Sequence, residues 1–242
     1  NDMIFEKENN LFEEWINEHN NNGEPDFCCD GLFYNKNFSQ DELLSIAKRK
    51  IVFFMKEPNN QPNQDYRNWF NEIEPKGVFF KFILSWLKTL SKVSVNDSNI
   101  MPLVPQIFPQ DLPLILVNAK KTSGGTAAND EEVYNYANTY RKFIRRQMDI
   151  YSPNIILCGG GSVQLDEKRQ KRIVLMQKII MCLIYPEIEF EPMENNYIWY
   201  SAEKKMVLIN SWHPSSRKAK EEKYNELIES FRDFIKLNVF DL

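Results

Sequence analysis

Short uninterrupted apolar runs alternate along this chain with longer stretches in which apolar residues recur at every third or fourth position. The runs are Ile51 to Met55, Leu114 to Val117, Ile155 to Cys158 and Met206 to Ile209. Four or five apolar residues in a row suit a strand covered on both faces. Tyr197 to Tyr200 precedes the last run, and Ser201 to Lys205 between them reads as the turn of a hairpin. Helical spacing marks about Met3 to Asn20, with Ile4, Leu11, Phe12, Trp15 and Ile16 on one face, then Gly77 to Val93, Asp130 to Ile150 and Glu167 to Leu183. A closing helix carries Leu227, Ile228, Phe231 and Ile235, and Ser39 followed by Glu42 is a capping box for a short helix reaching Lys48. Glu24 to Leu32, Asn59 to Asp65 and the proline-bearing Ser94 to Pro113 read as loops. Strands alternating with helices imply crossovers and parallel pairing. The expected fold is α/β, a three-layer αβα sandwich around a central, mainly parallel four-stranded sheet. No repeat or linker divides the chain, so residues 1–242 are expected to form one domain, with 1–49 as a helical and loop extension packed on it.

Composition supports a single large core: 242 residues are 43% hydrophobic and 13% aromatic. No stretch is long and apolar enough to span a membrane, and no signal-peptide pattern opens the sequence. Cys28 and Cys29 are adjacent, Cys158 and Cys182 stand apart, and no CxxC pair suggests zinc. They read as reduced thiols of a cytoplasmic, monomeric protein with no metal and no cofactor. A net charge of −4 excludes a chain that is basic all over, but leaves room for a local cationic face. Candidate clusters are Arg141, Lys142, Arg145 and Arg146; Lys168, Arg169, Lys171 and Arg172; and Arg217, Lys218 and Lys220. The rival reading for the first two is a solvated helix face.

Candidate chemistry gathers where four of the strands end. Ile51 to Met55 runs into Lys56-Glu57-Pro58-Asn59, and Leu114 to Val117 into Asn118 with its Ser123-Gly124-Gly125 extension. Ile155 to Cys158 opens into Gly159-Gly160-Gly161-Ser162, and the last strand into His213-Pro214-Ser215-Ser216. Pro58 lacks an N–H and has a fixed φ, so it ends the ladder and holds Glu57 extended. Parallel strands would bring all four tips to one edge, the place where open α/β sheets bind ligands. Each tip also has a plainer reading as a solvated turn. His213 is one of two histidines; the other, His19, reads as incidental on the polar face of the first helix.

These four loops, in this order and on these strand ends, resemble the uracil-DNA glycosylase superfamily. Met55-Lys56-Glu57-Pro58-Asn59 stands where its best-known branch has Gly-Gln-Asp-Pro-Tyr, and Leu114-Ile115-Leu116-Val117-Asn118 where it has Leu-Leu-Leu-Asn. Leu157-Cys158-Gly159 corresponds to its Leu-Trp-Gly, and His213-Pro214-Ser215 to its His-Pro-Ser. The likeness spans about residues 50 to 235. It implies a DNA glycosylase that leaves an abasic site, with Glu57 as the water-activating carboxylate and His213 as the group stabilising the departing base. It also implies Asn118 as the base reader. Asn59 replaces the ring that shields C5 of uracil, and Arg217 replaces the leucine wedged into the duplex. A pyrimidine with a larger C5 group follows, such as a glucosylated hydroxymethylcytosine of phage DNA, in an antiviral setting.

Bond chemistry fits those roles. Breaking an N-glycosidic bond leaves positive charge on the sugar, which a carboxylate stabilises, and negative charge on the base, which a neutral imidazole stabilises by donating a hydrogen bond. Asn118 and Asn59 can meet an extruded base, and Tyr66, Trp69 or Phe70 can stack on it, the rival for the trio being core packing. DNA-backbone contacts are expected from Lys56, Ser123, Gly124, Gly159, Gly160, Ser215, Ser216 and Arg217. The glycine loop would present N–H groups at a helix start, or serve only as a turn. Ordinary uracil excision, hydrolysis of free nucleosides or nucleotides, and a silent DNA-binding module are the alternatives.

Overall fold

The computed structural model describes residues 3–24, 26–34, 39–59, 62–69, 77–96, 112–125, 128–161, 163–166, 171–195, 197–211, 213–214 and 220–242. In chain order these form α1 (Met3–Asn21), β1 (Gly31–Leu32), α2 (Gln40–Ile46), β2 (Ile51–Met55), α3 (Val78–Lys92), β3 (Ile115–Asn118), α4 (Asp130–Thr139), α5 (Arg141–Tyr151), β4 (Ile155–Gly159), β5 (Val163–Asp166), β6 (Lys171–Val174), α6 (Leu175–Ile179), β7 (Glu191–Pro192), β8 (Ile198–Ser201), β9 (Met206–Ser211) and α7 (Lys220–Leu237).

One seven-stranded sheet runs β1-β3-β2-β4-β9-β8-β7. Its β3, β2, β4 and β9 pair in parallel, while β1 at one edge and β8 and β7 at the other are antiparallel. The sheet is therefore mixed and wider than the four strands expected. β1 lies in the stretch read as a loop, because two residues are too few to show a period.

Successive residues of β2 enter opposite cores, as the pleat requires. Val52 and Phe54 join Trp15 of α1, Val133 of α4, Ile144 of α5 and Met176 of α6. Ile51, Phe53 and Met55 join Phe82 and Trp86 of α3 and Leu227 and Phe231 of α7. Cover on both faces is why the strand is apolar without alternation. Phe53 and Phe54 are fully buried, and truncating either to Ala would cost about 3–5 kcal/mol. The loop at residues 56–59 thus stands on a rigid strand. No helix among the described residues is long and apolar enough to cross a membrane.

Two expected helices are corrected. Asp130 to Ile150 forms two helices, with the chain turning at Tyr140 (φ −102°, ψ 17°). No Gly or Pro marks that break. Tyr140 is buried, donates to Glu24 Oε1 at 3.1 Å and accepts from Asn22 Nδ2 at 2.9 Å, so contacts with the end of α1 fix the turn. Of the expected helix Glu167 to Leu183, the described residues are strand up to Val174 and helical only from Leu175. β5 and β6 pair first as an antiparallel hairpin, Val163 opposite Val174, before α6 and a π-helical turn at Ile180–Ile184. Val163-Gln-Leu-Asp alternates with period two, a strand pattern that competes with the helical spacing that follows. Ser39 is the N-cap of α2, its Oγ accepting from Glu42 N at 3.4 Å, but α2 ends at Ile46 instead of Lys48.

Candidate active site

The parallel register sets Met55 opposite Asn118, Phe54 opposite Cys158 and Gly159 opposite Ser211. Loops from β2, β3, β4 and β9 therefore leave one edge of the sheet side by side. The first two continue the ladder beyond their strands. Ala119 N donates to Met55 O at 2.8 Å, Lys120 N to Lys56 O at 2.9 Å and Gly124 N to Pro58 O at 3.0 Å, and Asn59 pairs with Gly124. Backbone bonds thus fix the segment that carries Glu57.

The Glu57 side chain is only 7% exposed and is gripped at both oxygens. Lys120 Nζ donates to Oε2 at 2.9 Å and lies 3.7 Å from Glu132 Oε2. Oε1 fills the space beside Gly124, where an added Cβ would overlap it. On the other side of the loop, Lys56 Nζ donates to Asp130 Oδ1 at 2.6 Å. Lys56 and Lys120 are both engaged with acids of the same chain.

His213 packs on the glycine loop: a Cβ on Gly160, whose φ is +91°, would stand 3.3 Å from the His213 Cβ. Burial, with Lys56 and Lys223 adding like charge, pushes the imidazole below its ordinary value, so it is neutral at pH 7. Its ring lies 5.9 Å from that of Phe79. From there an aromatic run continues through Phe80 (5.1 Å) and Trp69 (5.6 Å) to Tyr66 (5.2 Å), whose hydroxyl donates to Asn59 O at 3.2 Å. The run joins the β2 loop to the β9 loop. Trp69 is 38% exposed and Tyr66 half-buried.

Asn118 is nearly buried, and its backbone N (2.9 Å) and Nδ2 (3.0 Å) both donate to Asp30 Oδ2. Asp30 Oδ1 accepts from Lys121 Nζ at 2.5 Å and Gln147 Nε2 at 3.1 Å. Burial lowers the Lys121 pKa against the opposing pull of Asp30. Ser123 N donates to Asp26 Oδ2 at 2.8 Å, and with Gly124 N bound to Pro58 both amides are used within the protein. Gly159 and Gly160 open toward the β5–β6 hairpin instead of a helix start, so the helix-dipole argument for phosphate binding does not apply there. Gly159 has a different constraint, since a Cβ would collide with Met55 Sδ. Asn59 is exposed. Phe70, Ser215, Ser216 and Arg217 lie outside the described residues.

His19 is not incidental. It is 1% exposed, its Nε2 lies 2.5 Å from the Tyr136 hydroxyl and its Nδ1 3.3 Å from Asp26 O. Burial holds its pKa below the ordinary value. It borders a cavity of about 260 Å³ whose lining includes Asp26, Cys29 and Asp65 but none of Glu57, Asn118 or His213. The proposed chemistry lies instead with the strand tips, where the register and the two gripped side chains meet.

Sequence reasoning missed Lys120, Phe79 and Lys223. A Lys-Lys pair just past a buried strand was a signal for Lys120, whereas Phe79 is hidden in the apolar run Val78-Phe79-Phe80. Among the cationic clusters, Arg145 binds Asp149 and Glu187, and Arg146 binds Glu14. No group of three His, Cys, Asp or Glu side chains among the described residues is placed to hold a metal ion. No family model and no curated protein matches the chain.

Proposed function

We propose that this chain is a DNA glycosylase that hydrolyses the N-glycosidic bond of a C5-modified pyrimidine and leaves an abasic site. The observation that carries the reading is the placement of Glu57 and His213 just past the tips of β2 and β9, with β4 alone between those strands. Two strand spacings amount to about 10 Å. An extruded nucleotide laid across the β4 tip would span that gap with its sugar toward Glu57 and its base toward His213. The carboxylate then stabilises positive charge on the sugar and orients the attacking water, while the neutral imidazole donates to the base as negative charge develops. Lys120 fixes the direction of the carboxylate. Asp30 takes one amide donor of Asn118; an amide has a second N–H and an oxygen with which to read a base edge. Tyr66, Trp69 and Phe79 are the described aromatics for stacking. Asn59 puts a short amide where the resembling family has a ring, which favours a bulky C5 group such as the glucosylated hydroxymethyl of phage DNA.

One observation favours a second reading, hydrolysis of free nucleosides or nucleotides. Lys56, Lys120, Arg145 and Arg146 are all paired with carboxylates of the chain, which leaves less charge for a phosphate backbone. Duplexes bearing uracil, hydroxymethylcytosine or its glucosylated form, assayed beside the free nucleosides, separate the cases by mass analysis of released bases. Release of a modified base with an abasic site supports the proposal. Release from nucleosides alone, without salt-dependent DNA affinity, supports the second reading. Release of uracil alone points to ordinary uracil excision, and salt-dependent binding with no release to a silent DNA-binding module.

A further inference from the structure

Lys56 leaves the β2 tip one residue before Glu57. Its carbonyl accepts from Lys120 N at 2.9 Å, so the backbone is fixed there and only the four-carbon stem can swing. The ammonium meets Asp130 Oδ1 at 2.6 Å, with the two side chains 20% and 29% exposed. Lys56 is also the larger of the two like charges acting on His213. One cation is thus tied to the Glu57 loop by the chain and to the β9 tip by its field. A pair that water still reaches is held less firmly than a dry one such as Lys121 with Asp30. Asp130 opens α4 just after the N-cap Asn129, where a helix end favours negative charge. Its carboxylate therefore keeps a favourable setting when the ammonium departs.

We infer that Lys56 and Asp130 form an exchangeable phosphate site, in which Asp130 holds the ammonium in the free protein and a phosphate of the bound nucleotide takes it over. The inference rests on the proposed reading of the strand tips as a nucleotide site, and it names the group that receives the phosphate. A nucleotide with its sugar toward Glu57 carries its phosphate on that same sugar, and so on the side of the gap where Lys56 begins. The exchange swaps a carboxylate oxygen for a phosphate oxygen and keeps a charge-assisted hydrogen bond on the ammonium. Asp130 is then a competitor: its charge must be displaced before a phosphate binds, so its removal strengthens binding. A phosphodiester of DNA and the phosphate of a free nucleotide share this chemistry, and the two arms of the test separate them.

The test is a double-mutant cycle on binding by the full chain, with Lys56→Gln, Asp130→Asn and the pair of changes together. Glu131→Gln, at the exposed acid next to Asp130, is the control for net charge. One arm uses a labelled duplex bearing glucosylated hydroxymethylcytosine; the other compares deoxycytidine monophosphate with deoxycytidine. Lys56→Gln should weaken duplex binding about tenfold and lower the salt slope by about 0.7–0.9, the share of one phosphate. Asp130→Asn should tighten binding about threefold beyond Glu131→Gln, a gain that a damaged fold cannot produce. With glutamine at 56, Asp130→Asn should do no more than the control. Equal effects of Asp130→Asn and Glu131→Gln on both ligands overturn the inference. So does a Lys56→Gln protein that keeps both the salt slope and the preference for monophosphate over nucleoside. Coupling with the monophosphate alone assigns the phosphate to a free nucleotide. Coupling in a protein that releases no base keeps the exchange and sinks the glycosylase reading, whereas base release without coupling does the reverse.

Discussion

Two lysines adjacent in sequence form two carboxylate pairs of opposite character. Lys121 meets Asp30 with both side chains at 0% exposure, and Lys120 meets Glu57 with 14% and 7%. Asp30 accepts from four donors: the Asn118 backbone and amide, Lys121 and Gln147. Its oxygens are fully used, and no route remains for it to act on anything else. Glu57 has one donor and one close wall, the Gly124 backbone, and stands on a loop past a strand tip. The same chemical pair thus serves as an anchor where it is saturated and as a candidate reagent where it is only steadied. Position in the sheet separates them more than composition does.

The comparison breaks first at the buried pair. Asp30→Ala or Lys121→Met leaves an uncompensated charge in the core and should cost about 3–5 kcal/mol in urea unfolding. A loss below about 1 kcal/mol would mean that Asp30 is no anchor. Glu57→Gln is the opposite case, nearly isosteric and on a loop past a strand tip. Base release should fall by about a hundredfold or more, with DNA affinity nearly unchanged and stability within about 1 kcal/mol. Single-turnover release within about threefold of wild type, a difference under about 1 kcal/mol, removes Glu57 from the mechanism.

Lys120→Met sharpens the contrast. Its pair is neither fully buried nor fully solvated, so a stability loss of about 1–2 kcal/mol is expected, between the surface and interior cases. Base release should slow as well, because the carboxylate loses its orienting donor. Equal stability losses in Lys120→Met and Lys121→Met would erase the distinction. The smallest effect is on pH dependence. His19 beside the buried network and His213 at the tips both have depressed values when folded. The unfolded chain, titrating near 6.5, binds more protons than the folded chain between that value and the lower folded ones. Stability is therefore fully present above about pH 6.5 and should decline as pH falls through that window. Urea midpoints at successive pH values check this, and a His19→Gln variant should show a shallower decline. The same slope in both proteins would exclude His19 as a source.

Much of this was legible because it is local. Five consecutive apolar residues gave β2 and its polar tip, and Ser39 with Glu42 gave the start of α2. Local pattern failed where distant contacts decide. Tyr140 breaks a continuous helical sequence because Asn22 and Glu24 bind its hydroxyl across the fold. His19 sits among Asn20, Asn21 and Asn22 and looks solvated in sequence, yet Tyr136 and Phe27 enclose it. That the tips of β2 and β9 lie along one sheet edge was readable, but the place of Lys223 was not. Its neighbours Glu221 and Glu222 are exposed, and only the docking of α7 turns the lysine inward.

The contact between Gly124 and Glu57 also restricts how this sequence can change over generations. Gly124 does not have the positive φ that calls for glycine; crowding by Glu57, whose Oε1, Cδ and Cγ would stand 1.9, 2.2 and 2.8 Å from an added Cβ, keeps a side chain out. An aspartate at 57 keeps the Cγ carbon and so the crowding, whereas a residue without a γ atom, such as alanine, opens that space. Positions 57 and 124 should then vary together among descendants, glycine accompanying glutamate or aspartate, and alanine becoming admissible at 124 only once residue 57 has lost its γ atom. The order of substitution matters as well, because shortening residue 57 first keeps both steps sterically open. Enlarging residue 124 first would force the carboxylate out of place.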